Sequence, residues 1–323
     1  MTETKQFNLH ESKPQPIFFI SHGGPTFADK HDKVGSNVGA WNKTKQIGDY
    51  IKNELKPDYI IVVSAHWQSD APNVIEVSVP GPGEDIYTKN GIKSHKLRPD
   101  ENALIYDFYG FPQQFYDSQF HTVANGALAD NIVKTIEESD LFKARTRERG
   151  IDHGVFVPFK IAFADTEVSD SKELDVDVPV IQVSLAGTPD IETHFRLGQV
   201  LSKYRDQNCL VILSGASVHN LKDLRAPGPD ETYGYAAPFN RLLTNILTHE
   251  DPSKILQEFK KIPESPELNR IYVGAHPTNE HLLPAIVAAG ASRGDKCKLL
   301  YTDLVASLGW NLYGWGLTES SGF

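Results

Sequence analysis

Pro57–Trp67 reads PDYIIVVSAHW. Tyr59–Val63 is an unbroken run of β-branched and aromatic residues, too short for a helix, and Ser64 and Ala65 close it before His66. Such a run is a strand buried on both faces, here ending in an imidazole. Upstream, Val38, Trp41, Ile47, Ile51 and Leu55 recur at roughly helical intervals, and Pro16–Ser21 (PIFFIS) is a second short apolar run bounded by proline and glycine. Strand, helix and strand in succession imply a right-handed crossover and parallel pairing, with both faces of the sheet covered. The expectation is an α/β fold: a single domain with a largely parallel central sheet flanked by helices. No shift in composition divides the chain, so residues 16–323 form one catalytic domain, and the polar residues 1–15 are expected to be a flexible lead-in.

Composition narrows the function. The 323 residues are 40% hydrophobic and 23% charged, ordinary for a soluble globular chain with a sizeable core. A net charge of −10 argues against a nucleic-acid footprint, which needs a basic patch. No stretch approaches the roughly 20 apolar residues of a membrane helix, and the amino terminus lacks a signal peptide's apolar core. Those features, with only two cysteines, point to the cytoplasm; Cys209 and Cys297 exclude a disulfide framework or a thiolate zinc site. Oligomeric state leaves no mark in the sequence.

The remaining chain continues the alternation. Strands are expected at Val74–Val79, Ala144–Glu148, Val178–Ala186, Leu210–Gly215, Lys298–Tyr301 and Asn311–Trp315. Helices are expected over Asn125–Glu138, Thr188–Tyr204, Tyr235–Thr248 and Pro252–Phe259, and from Asn279, as cap, to Ala289, with His281 in the first turn. There the helix dipole would disfavour protonation of His281. Pro80–Glu101, rich in glycine, proline and lysine, is a long loop of the kind that covers a site; its His95 reads as surface. In Leu104–Asp117 (LIYDFYGFPQQFYD), Gly110 and Pro112 interrupt a dense aromatic cluster, leaving an aromatic loop suited to a flat ligand.

Histidines fall at the chain's punctuation points. His22 follows the first strand in a His-Gly-Gly-Pro turn; His66 ends the second; His153 lies in Asp-His-Gly; His219 follows Leu210–Gly215; His276 and His281 flank the break at Pro277. Open α/β sheets bind ligands outside the carboxyl ends of their strands, and imidazole suits zinc and divalent iron. A metal site drawn from distant parts of the chain is therefore expected. His10, His31, His121, His194 and His249 lie in polar or helical contexts and are set aside. Glycine and serine after Leu210–Gly215 would also suit a phosphate cradle, but neither phosphate-binding glycine motif occurs.

SHGGP (21–25), VVSAHW (62–67), DFYGFP (107–112), DHG (152–154), SGASVHN (214–220) and HPTNEHLLP (276–284), in this order, resemble the class III extradiol ring-cleaving dioxygenases. More narrowly they resemble the DOPA 4,5-extradiol dioxygenase group, over about Pro16 to Gly316. The resemblance implies one divalent metal ion, Fe(II) for ring cleavage or Zn(II) as bound. It implies metal ligands at His22, His66 and His281, and at His219, which the broader class uses as an acid/base. His153 matches the histidine that exchanges protons with substrate. Phe108, Phe111 and His276 are expected to contact a small-molecule catechol, with O₂ as co-substrate and a ring-opened muconic semialdehyde as product. The broader class has a carboxylate as its third ligand; here that position is His281, beside Glu280. An all-histidine set binds zinc readily, which keeps a zinc-dependent hydrolase open, as well as a non-catalytic metal- or catechol-binding homologue. The family's aromatic motif often has a histidine where this chain has Tyr106, which bears on substrate preference.

Overall fold

The computed structural model describes residues 7–32, 35–81, 98–164, 174–224 and 232–323. Strand β1 (Ile17–Ser21) is buried at every residue and runs through a turn to helix α1 (Val38–Tyr50), capped by the Asn37 side chain. A π-helical turn at Ile51–Leu55 then ends on Lys56 in the left-handed conformation and hands the chain to β2 (Tyr59–Gln68). Next come β3 (Val74–Val79), the two-residue strand β4 (Leu104–Ile105), the short α2 (Gln113–Tyr116), and α3 (Gly126–Glu137). They are followed by β5 (Lys143–Glu148), β6 (Ile151–Asp152), α4 (His153–Phe163), β7 (Val180–Leu185), α5 (Ile191–Leu201) and β8 (Cys209–Gly215). The last part holds α6 (Ala236–Leu247), α7 (Ile255–Lys261), α8 (Pro266–Ala275) and α9 (Leu283–Ala291). Strands β9 (Cys297–Tyr301), β10 (Leu304–Val305), β11 (Leu308–Gly309) and β12 (Leu312–Trp315) complete it.

The main sheet has eight strands in the order β5-β3-β7-β2-β8-β1-β12-β9. Its centre, β7-β2-β8-β1, is parallel throughout. The flanks depart from the expected parallel pairing: β3 meets β7 antiparallel, and β12 is antiparallel to both β1 and β9. Alternation along each central strand feeds two cores. Ile17, Phe19, Ile61, Val63, Val211 and Leu213 face one side with α3, α5, α6 and α9; Phe18, Ile20, Ile60, Val62, Leu210 and Ile212 face the other with α1 and α4. The single α/β domain with helices on both faces is thus as the residues dictate.

Other departures have local causes. Val155–Phe163, which carries no helical periodicity, forms α4, because every residue from His153 to Phe163 is buried and no polar face is needed. Helix α9 begins at Leu283, so His281 sits in the preceding turn rather than in the helix. Asn279 does not cap α9 with its side chain; its carbonyl accepts from the backbone N–H groups of Leu282 and Leu283. Within residues 1–15, residues 7–15 are tied to the domain. Asn8 N–H donates to the Tyr59 hydroxyl, Ser12 N–H to the Asp206 carbonyl, and the Gln15 amide to Asn208 Oδ1. Of the Pro80–Glu101 loop, residues 82–97 with His95 lie outside the described residues. Among the described residues no helix is long and apolar enough to cross a membrane. Cys209 and Cys297 are free thiols.

Candidate metal centre

Because β1, β2 and β8 are parallel neighbours, their carboxyl ends share one edge of the sheet. His22 directly follows β1, and its N–H donates to the Gly215 carbonyl at the end of β8. His66 lies in β2 where the pairing with β7 slips between Val63 and Gln68, an irregularity of the kind that re-aims a side chain beside a site. His281 is docked on the end of β8 by its own carbonyl, which accepts from Ala216 N–H. The nitrogen atoms these three imidazoles offer lie within 4.8 Å of one another. His22 Nε2 and His66 Nε2 are 2.9 Å apart.

Hydrogen-bond partners decide which ring nitrogens are bare. Pro158 has no N–H to give the Gly154 carbonyl one turn back, and the Ser214 hydroxyl donates there instead. With its proton committed, Ser214 Oγ accepts from His22 Nδ1–H at 2.9 Å, which leaves His22 Nε2 a lone pair. Asp107 Oδ2 stands 3.1 Å from His66 Nδ1, and Glu280 Oε1 stands 3.1 Å from His281 Nδ1. A carboxylate can only accept, so His66 and His281 also present a bare Nε2. Three inward lone pairs at these separations form a donor set that fits a single divalent cation, and imidazoles backed by carboxylates or hydroxyls are the usual form of such ligands.

Burial keeps His22 and His281 neutral. Desolvation, and then the mutual repulsion of neighbouring imidazolium charges, lower His22 and His281 well below the ordinary histidine range. For His281 these causes replace the expected helix dipole. His66 is pulled down by burial too, but its hydrogen bond to Asp107 and the charges of Asp107 and Asp152 outweigh that and raise it. Burial would raise the Asp107 carboxyl, yet His153 and His66 together hold it far below the usual carboxylate range.

Around the cradle stand the other expected residues. His153 opens α4, with its Nδ1 2.7 Å from Asp107 Oδ1 and its ring centroid 4.1 Å from that of His66. Phe108 meets the His153 ring edge-on at 5.7 Å, and Phe111 packs against Phe108 one ring further out. His219 does not join the His22–His66–His281 group; it stacks on His281 with centroids 3.4 Å apart and shares a group with Glu280 and His281. Burial and the neighbouring His276, His66 and His153 lower His219 to about 3. His276 is buried against Phe239, its Nε2–H on the Ser217 carbonyl, so it supports the His219 turn. Of the histidines set aside, His121 is buried against Glu101 at 2.6 Å, and His194 is buried with Nδ1 on the Asp190 carbonyl.

Gly154 shows how closely α4 passes beneath the cradle. A Cβ there would lie 2.5 Å from Ser64 Oγ and 2.8 Å from His66 Cδ2. Asp152 braces the same spot: its oxygens accept from the Ser64 hydroxyl at 2.7 Å and the Gln182 amide at 2.5 Å. The residues that sequence reasoning did not assign are Asp107, Ser214 and Asp152. Asp107 sits inside the aromatic motif, and only the pairing of β4 with β6 brings its carboxylate to His153.

The parallel centre of the sheet thus carries at its carboxyl edge a histidine cradle that fits a divalent cation. The chain belongs to the family described as the catalytic LigB subunit of aromatic ring-opening dioxygenase, matched over residues 16–310, and so to the class III extradiol dioxygenases. Among its relatives is a 4,5-DOPA dioxygenase extradiol-like protein of Schizosaccharomyces pombe, 30% identical over 88% of this chain and 87% of that one. The 4,5-DOPA dioxygenase extradiol of Beta vulgaris is 29% identical (90% and 92% covered), and that of Escherichia coli 26% (92% of each). The crystal structure of an uncharacterized protein from Escherichia coli K12 shares the fold, with a TM-score of 0.64, 21% identity, and 93% and 99% of the two chains covered.

Proposed function

We propose that this protein is a non-haem, metal-dependent extradiol dioxygenase that opens the ring of a DOPA-like catechol with O₂. The observation that carries the reading is the convergence of three bare imidazole nitrogens, from His22, His66 and His281, beside a histidine held by a carboxylate. Bound there, Fe(II) would supply the open coordination positions and redox chemistry that a catechol and O₂ require. His153 carries the proton work: with Nδ1 committed to Asp107, its Nε2 is the atom left to accept a phenolic proton and return it. Phe108 and Phe111 hold the flat ring at that side of the cradle, and Phe108 keeps water from His153. His219, stacked on His281, is held neutral by burial; it is the fourth ligand or a second acid/base group, and His276 braces its turn. The work is done in the cytoplasm.

Protein loaded anaerobically with Fe(II) and then given O₂ should consume it with a catechol and yield a yellow product. No O₂ uptake across a catechol panel that includes DOPA would sink the proposal. The all-imidazole donor set also favours zinc, and with it the hydrolase reading. That reading requires ester or amide hydrolysis by the Zn(II)-loaded protein under strict anaerobiosis.

A further inference from the structure

We propose that Asp107 is a positioning residue whose single carboxylate fixes the ring orientation and tautomer of both His66 and His153. The roles of those two rings rest on the oxygenase reading; their orientation does not. Asp107 Oδ1 accepts from His153 Nδ1–H at 2.7 Å and from the His153 backbone N–H at 3.1 Å. Its Oδ2 stands 3.1 Å from His66 Nδ1 and favours the proton there. The juxtaposition comes from a small sheet of its own: β4 pairs parallel with β6, aligning Ile105 with Asp152. Each strand then ends within two residues, so Asp107 and His153 emerge side by side, and β2 brings His66 to the carboxylate's other oxygen. One acidic group thereby turns both Nε2 atoms away from itself: that of His66 toward His22, that of His153 toward the neighbouring space.

An amide separates the two contacts. In Asp107→Asn the side chain keeps one acceptor. The His153 backbone N–H, which cannot change its proton, holds the amide oxygen at the Oδ1 position. The NH₂ group then faces His66 Nδ1, which must become the bare nitrogen and put a proton on Nε2 inside the cradle. The test is long-range ¹H–¹⁵N NMR of the histidine rings, with Zn(II) affinity by chelator competition. In the unmodified protein both rings should show a bare Nε2. Asp107→Asn should switch His66 alone and weaken Zn(II) binding about 10- to 100-fold, the range set by an outer partner of a metal ligand. Asp107→Ala should release both rings, and Asp107→Glu should restore affinity in part. Backbone spectra of the variants identify any that fail to fold, and the isosteric amide keeps the test decisive if the alanine variant does. Unchanged tautomers in Asp107→Asn, or unchanged Zn(II) affinity, would overturn the proposal. Absence of O₂ uptake in the unmodified protein would sink the oxygenase reading and leave this result standing.

Discussion

Two imidazole lone pairs aimed at each other across 2.9 Å, as at His22 and His66, repel unless something positive lies between them. In the metal-free protein a proton on His66, which Asp107 favours, can take that role, because burial and neighbouring imidazoles lower His22 whereas His66 is raised. A divalent cation suits it, and removing any one of the converging rings should be felt as metal loss. His22→Ala and His281→Ala should each reduce bound metal from about one ion per chain to a small fraction, read by elemental analysis after gel filtration. His153→Asn should keep the ion and lose turnover by roughly 10²- to 10⁴-fold, the usual contribution of a positioned acid/base group. Equal metal loss in His153→Asn would make it a ligand instead.

Buried histidines of the site set an acid limit on the metal-free protein. Burial lowers His276 to about 4, against 6.5 in the unfolded chain. A depressed histidine contributes its full stability above pH 6.5 and loses it as pH falls toward the folded value, because the unfolded chain binds the proton first. For His276 alone the loss between pH 6.5 and 4 is roughly 3 kcal/mol. Urea unfolding at pH 7.5 and pH 4.5 should show a decline larger than that, because His22, His219 and His281 are depressed as well, and His276→Asn should reduce it by about 3 kcal/mol. A profile that stays as steep in His276→Asn would assign the acid sensitivity to other groups.

At the scale of elements, the tautomer of His22 depends on an irregular helix. Pro158 leaves the Gly154 carbonyl without its helical donor, and Ser214 on β8 fills the gap while accepting from His22. Ser214→Ala removes both bonds at once. It should cost about 1–3 kcal/mol in urea unfolding, the penalty of an unsatisfied buried carbonyl, and lower metal affinity about 10-fold or more. Destabilisation without any change in affinity would show that His22 is oriented by its backbone alone. This linkage also marks where the sequence stops being legible. The central strands β1, β2, β7 and β8 are short, mostly apolar runs between breakers, which no other element explains, and they bring His22, His66 and the His219 turn to one edge. Helix α4 was opaque because its β-branched and aromatic residues are buried all round, and Pro158 speaks against a helix on local grounds. Asp107 was opaque because a two-residue strand has no periodicity to read, and only its pairing with β6 brings it to His153. His219 could be assigned to the neighbourhood but not to a role, since stacking on His281 depends on the turn at Asn279–Leu282.

For the molecule as a whole, the cradle joins parts of the chain that are far apart in sequence. His22 follows the first strand and His281 lies in the turn before α9, and the unfolded polypeptide does not hold them together. A ligand that binds the folded state and not the unfolded one stabilises by RT ln(1 + [L]/Kd), about 2.7 kcal/mol at 100 times Kd. Zn(II) should therefore raise the thermal midpoint continuously with the logarithm of its free concentration, and a chelator should reverse the rise. The slope is the informative quantity, because it counts ions taken up on folding and does not depend on what the metal does chemically. With one cradle it corresponds to a single ion, and His281→Ala, compared with its own metal-free midpoint, should lose most of the response. The net charge of −10 means surface carboxylates will also attract cations weakly, so Mg(II), which avoids imidazole, is the control and should shift the midpoint little. A response to Zn(II) that survives in a variant lacking His22, His66 and His281 together would place the ion elsewhere. The cradle would then be a cluster of buried neutral histidines.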